Sequence, residues 1–127
     1  MTTAGGAPSP GVEVRDRSVN ELLGQLAARV PAPGGGVTAA LHAAQAAALL
    51  AMVSRYTTGE RFSEHTDVVT TCTARADLHR SRSLELAEQD EAAFTAVSDA
   101  YRMSKETPGD KKVRSAAIGF AVGKAAE

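Results

Sequence analysis

Eight alanines fall between Val37 and Tyr56, interleaved with Leu41, Leu49, Leu50, Met52 and Val53, so apolar side chains surround the segment instead of marking one face. A helix that is apolar all round is buried on most sides. Small side chains also let neighbouring backbones approach closely, which suits the central element of a bundle or an interface between copies of the chain. A membrane span is the rival reading. His42 and Gln45 interrupt the run and alanine drives insertion only weakly, so no membrane partner is expected. No stretch alternates like a strand, and aromatics make up 4% of the chain with no Trp. Both facts favour closely packed helices over a sheet core of large β-branched residues. The expected fold is all-α: a bundle of long helices around this alanine-rich helix.

A chain of 127 residues supports one core. The first seventeen residues, rich in Gly, Ala, Pro and Thr, show no apolar period and read as a disordered tail, leaving 18–127 as the domain. Ser18-Val19-Asn20-Glu21 reads as a capping box opening a helix with Val19, Leu22, Leu23 and Leu26 in one stripe. Pro31 and Pro33 stop it near Arg29. Thr57-Thr58-Gly59 marks a break, after which Ser63 or a neighbour caps a second long helix running to about Met103. Spacings of three and four place Val69, Cys72, Ala76, His79, Ser83, Leu86, Asp90, Ala93 and Val97 on one seam. Asp90 would then point its carboxylate at the core, among Leu86, Ala87, Ala93 and Phe94. Thr107-Pro108-Gly109 ends that helix. Asp110 starts a last one with Val113, Ala116, Ala117 and Phe120 in a stripe and Arg114 on its flank. Its pattern reaches Glu127 without a stop signal, so the bundle is expected to be incomplete at the C-terminus.

Fourteen basic against fifteen acidic residues give a net charge of -1, which announces no nucleic-acid partner. One cysteine and a start, Met1-Thr2-Thr3, without an export signal point to a cytoplasmic setting. His42, His65 and His79 lack the spacing of a helical metal pair, and no metal site is expected. Cys72 reads as a small buried hydrophobe and His79 as a hydrogen-bonded core residue. Gly34-Gly35-Gly36, preceded by Pro33, lacks the Gly-Lys-Ser/Thr ending of a phosphate loop. Three glycines exceed what a turn needs. They offer open backbone leading into a helix start whose free amides attract anions.

Pro31-Ala32-Pro33-Gly34-Gly35-Gly36 with Ala39-Ala40-Leu41, then Met52-Val53 with Thr57-x-Gly59, Asp90-Glu91-Ala92-Ala93-Phe94, Ala100-Tyr101-Arg102 with Lys105, and Lys111-Lys112-Val113-Arg114 occur in an order that resembles the cyclodeaminase/cyclohydrolase family. That family contains the cyclodeaminase half of formiminotransferase-cyclodeaminase and the stand-alone methenyltetrahydrofolate cyclohydrolases. The resemblance runs from Ser18 to Glu127 and implies a helical domain forming a homodimer or higher homo-oligomer. Its substrates would be one-carbon forms of tetrahydrofolate, with no further cofactor. Family members usually place serine after the glycines, where this chain has Val37 and a hydroxyl one position later at Thr38. They also continue past the equivalent of Glu127.

The resemblance further implies the chemistry. In 5-formiminotetrahydrofolate, N10 of the folate attacks the formimino carbon, ammonia leaves and a five-membered ring closes. Nucleophile and electrophile share one molecule, so the protein has to hold the reactive conformer and move protons. Asp90 on an apolar seam would serve as general acid. Pro33, Gly34, Gly35, Gly36 and Thr38 would receive the pterin edge or the developing charge. Lys105 and Arg114 would hold the glutamate carboxylates, unless Arg114 and Asp90 form a buried ion pair between helices. Two other functions fit the same sequence: hydrolysis of methenyltetrahydrofolate, and a non-catalytic helical assembly module.

Overall fold

A computed structural model describes residues 12–127. It is all-helical, with no strand among the described residues. Helix α1 spans Val19–Ala27, α2 Gly35–Tyr56, α3 Thr66–Arg102 and α4 Pro108–Ala125, with short 3-10 turns at Val14–Asp16 and Glu60–His65. The 37 residues of α3 make a rod about 55 Å long. It is the helix that α2, α4 and both 3-10 turns touch, so the bundle is organised around α3, with the alanine-rich α2 as its principal partner.

The local reasons are legible. Ser18 accepts from the Glu21 amide while the Glu21 carboxylate accepts from the Ser18 amide, and α1 begins there as a capping box. The helix ends at Ala27 ahead of a cis Ala32–Pro33 peptide. Gly59 turns the chain after α2 with φ 95°, a conformation open to glycine at little cost. Ser63 does not cap α3. The 3-10 turn leads straight into the helix, and Thr66 Oγ1 donates back to the Ser63 carbonyl. Thr107 and Asp110 form a second capping box, with Pro108 at the first helical position, so α4 starts two residues before Asp110.

Helices α2 and α3 run antiparallel, with Gly36 beside Asp90 at one end and Arg55 paired to Asp77 at the other. Their contact is lined by small residues: Ala44, Ala47 and Ala51 from α2, Ala76 and Ala87 from α3. This shifts the buried line of α3 relative to the expected seam. Ala76, Ser83, Ala87 and Ala93 are covered to differing degrees, whereas Cys72, His79, Leu86 and Asp90 are exposed. Cys72 and His79 are therefore surface residues. Close approach of two alanine faces leaves room for one narrow line of α3, and the adjacent stripe falls outside it.

Residues 12–17, expected in the tail, are part of the fold. Val14 packs against Val37 and Ala87 in the main core cluster, with Leu22, Ala40 and Leu41 partly buried around it. Residues 1–11 of the expected tail lie outside the described residues.

Candidate active site

The first turn of α2 and the middle of α3 meet at one point. Gly34 is the N-cap of α2 in an extended conformation, and Gly35 and Gly36 already belong to the helix. None of the three has a positive φ, so the run is not explained by turn geometry. Gly36 has a different reason to be glycine: a Cβ built there would overlap the carboxylate of Asp90. Gly34 and Gly35 face open space. The loop and the aspartate, separated by more than fifty positions in the chain, thus form one surface.

Asp90 itself is exposed, and the apolar burial expected for its carboxylate is not present in the single chain. The possible ion pair with Arg114 is also not formed. Arg114 donates from Nε and Nη2 to the Tyr101 carbonyl at 3.2 Å each, with its guanidinium 5.5 Å from the Tyr101 ring centroid. Its position has a local cause. Carbonyls in the last turn of α3 lack intrahelical partners, and an arginine from α4 satisfies one of them. Lys105 lies exposed in the connection between α3 and α4. Thr38 turns its hydroxyl back to the Gly34 carbonyl at 3.1 Å, which ties the loop to the helix. Pro33 is buried. Of the expected site residues, Gly36 and Asp90 are in contact, Pro33, Gly34, Gly35 and Thr38 adjoin them, and Lys105 and Arg114 belong to the α3–α4 corner.

Sequence reasoning missed Arg17, whose guanidinium grips Glu91, the residue after Asp90, with Nη1 and Nη2 at 2.6 and 2.5 Å from the two carboxylate oxygens. The Glu91 carboxylate is the main cause that raises the Arg17 pKa above its usual value. An isolated arginine in a Gly- and Pro-rich stretch carries no periodic signal. The one available clue was the acidic pair Glu88 and Glu91, facing one way on the long helix.

Residues 18–127 match the family model described as formiminotransferase-cyclodeaminase. The chain belongs to that family. Among curated relatives it is 34% identical over 110 residues to the formimidoyltransferase-cyclodeaminase of Mus musculus, covering 86% of this chain and 20% of that protein. The corresponding protein of Sus scrofa matches at the same identity. The methenyltetrahydrofolate cyclohydrolase of Methylorubrum extorquens is 33% identical over 105 residues, 81% of this chain and 50% of that protein. The chain thus spans a fifth to a half of the length of these relatives.

In this member of the formiminotransferase-cyclodeaminase family, Val37 after the glycines is fully buried and packs on Ala87 and Val14. Its side chain belongs to the α2–α3 core. The departure at this position fills an interior space, while the adjoining Gly36 and Asp90 keep the surface contact.

Proposed function

We propose that this chain acts on one-carbon derivatives of tetrahydrofolate, closing 5-formiminotetrahydrofolate to 5,10-methenyltetrahydrofolate with loss of ammonia. The observation that carries the reading is the seating of the Asp90 carboxylate against Gly36 at the start of α2. A carboxylate there can take the proton from N10 as it attacks and hand it to the departing nitrogen, and the side-chain-free backbone of Gly34 and Gly35 lets a flat heterocycle approach. Ring closure is intramolecular, so orientation supplies much of the acceleration, on the order of several kcal/mol. Lys105 and Arg114 sit at the far corner of α3 and α4. Of the two, Lys105 has its charge free for substrate carboxylates, while Arg114 is committed to Tyr101. The reaction requires no metal or cofactor, and a cytoplasmic setting accords with a soluble folate substrate.

Hydrolysis of methenyltetrahydrofolate is the second reading, favoured by the similarity to the cyclohydrolase of Methylorubrum extorquens. Both reactions involve the same ring, and they differ in whether water enters or ammonia leaves. The test offers the whole chain 5-formiminotetrahydrofolate and, separately, 5,10-methenyltetrahydrofolate, following ammonia release and loss of the methenyl chromophore. Ammonia release supports the cyclodeaminase, and chromophore loss alone supports the cyclohydrolase. A folded chain that neither binds nor converts either folate would be a non-catalytic assembly module.

A further inference from the structure

The family match begins at Ser18, and the residues just before it form a closely bonded strap. All five N–H donors of Arg17 are used. Nε donates to the Val12 carbonyl at 3.2 Å and Nη2 to the same oxygen at 3.0 Å. Nη1 donates to Gln25 Oε1 at 3.1 Å, and Nη1 and Nη2 together hold both oxygens of Glu91. The Arg17 side chain is only 6% exposed. Both oxygens of Glu88 accept from consecutive strap amides, Val14 and Arg15, at 3.0 Å each. Val14 packs with Val37 and Ala87.

Three of these anchor points are chain neighbours of the candidate site. Glu88 and Glu91 lie two residues before and one after Asp90, and Val37 follows Gly36. Consecutive helical residues are rotated by about 100°, so a fork that fixes Glu91 also fixes the direction in which Asp90 leaves the helix. We infer that Arg17 is a positioning residue, which through Glu91 sets the rotation of the α3 turn that holds Asp90 against Gly36. The strap works on the site from outside, touching neither Gly36 nor Asp90 through Arg17 itself. The kinetic consequence rests on the proposed folate chemistry, whereas the geometric one stands without it.

The experiment uses the whole chain and the variants Arg17→Ala, Arg17→Lys and Glu91→Gln. In Arg17→Ala, the Gly36 amide and the Asp90 carboxyl carbon should shift and broaden in NMR spectra, while Arg55 and Asp77 at the far end stay unmoved. Arg17→Lys keeps the charge without the planar fork and should restore these signals only in part. With 5-formiminotetrahydrofolate, kcat of Arg17→Ala should fall about tenfold at a KM within about twofold of the parent, as expected for lost orientation. A parent inert toward folates would remove the proposed activity and leave the spectra to decide the strap. Unchanged Gly36 and Asp90 signals in folded Arg17→Ala would overturn the inference. Unfolding of all three variants alike would overturn it too, since the strap would then serve folding and not positioning.

Discussion

At Gly36 the lack of a side chain admits the Asp90 carboxylate, and this makes two adjacent glycines unequal. Gly36→Ala should push Asp90 aside and lower turnover by roughly tenfold or more, while the better helix propensity of alanine offsets part of the strain. Gly35→Ala meets open space and should leave turnover unchanged. Equal activity in both variants, measured alongside melting temperatures, would show that the Gly36 contact has no functional weight. Asp90 is exposed and Arg114 is engaged elsewhere, so Asp90→Asn strands no buried charge. Its stability should stay within about 0.5 kcal/mol of the parent. Turnover should fall by roughly a hundredfold with binding retained, and normal turnover would reject Asp90 as the group that moves the proton.

Among the helices, ends and faces respond to different perturbations. The Thr107 side chain, then its backbone amide, then the Ser104 hydroxyl hold the Asp110 carboxyl below the usual aspartate value. The Ser18 amide and hydroxyl do the same for Glu21. Carboxyls with a depressed folded pKa stabilise above their unfolded value, near 4, and lose that contribution as pH falls through the folded one. The first turns of α1 and α4 should therefore fray on acidification below about pH 4. Amide exchange at Glu21 and Asp110 should rise there, while mid-helix α3 amides lag behind; simultaneous exchange would count against local capping. On the faces, Ala47 is buried where α2 meets α3. Ala47→Arg should break this intramolecular pairing at a cost of about 3 kcal/mol or more, read in a denaturant melt.

For the molecule as a whole, alanines with Val14 and Val37 make up the buried core, and many of the larger apolar side chains lie outside it. Leu49, Leu50 and Val53 on α2 are 59%, 63% and 58% exposed, and Leu78, Phe94 and Phe120 on α3 and α4 are exposed as well. Exposed large apolar side chains of this kind suit an association face. The outer face of α2, opposite Ala44, Ala47 and Ala51, is the proposed site of self-association. Leu50→Glu should convert a dimer to a monomer in sedimentation velocity with little change in helix content, because the side chain makes no buried contact within the chain. A parent that sediments as a monomer at all concentrations would refute this assembly.

Helix positions followed from local chemistry that acts within a few residues, and the sequence by itself was enough for them. The Ser18–Glu21 box, the prolines at 31 and 33 and the glycine at 59 each act through their own backbone. The pairing of the glycine loop with Asp90 was legible only as a shared resemblance, since neither segment encodes the other's location. What the tertiary structure decided was rotation and choice of partner. Alanine offers no bulk to favour one line of α3 over its neighbour, so spacing alone placed Asp90, His79 and Cys72 on the buried seam, and packing turned them outward. Arg114 illustrates the same limit: its charge suits a carboxylate, yet the unpaired carbonyl of Tyr101 lay closer. Arg17 and the strap were invisible for the converse reason. A segment without periodicity becomes ordered only when Glu88, Glu91, Val37 and Ala87 are brought together to receive it.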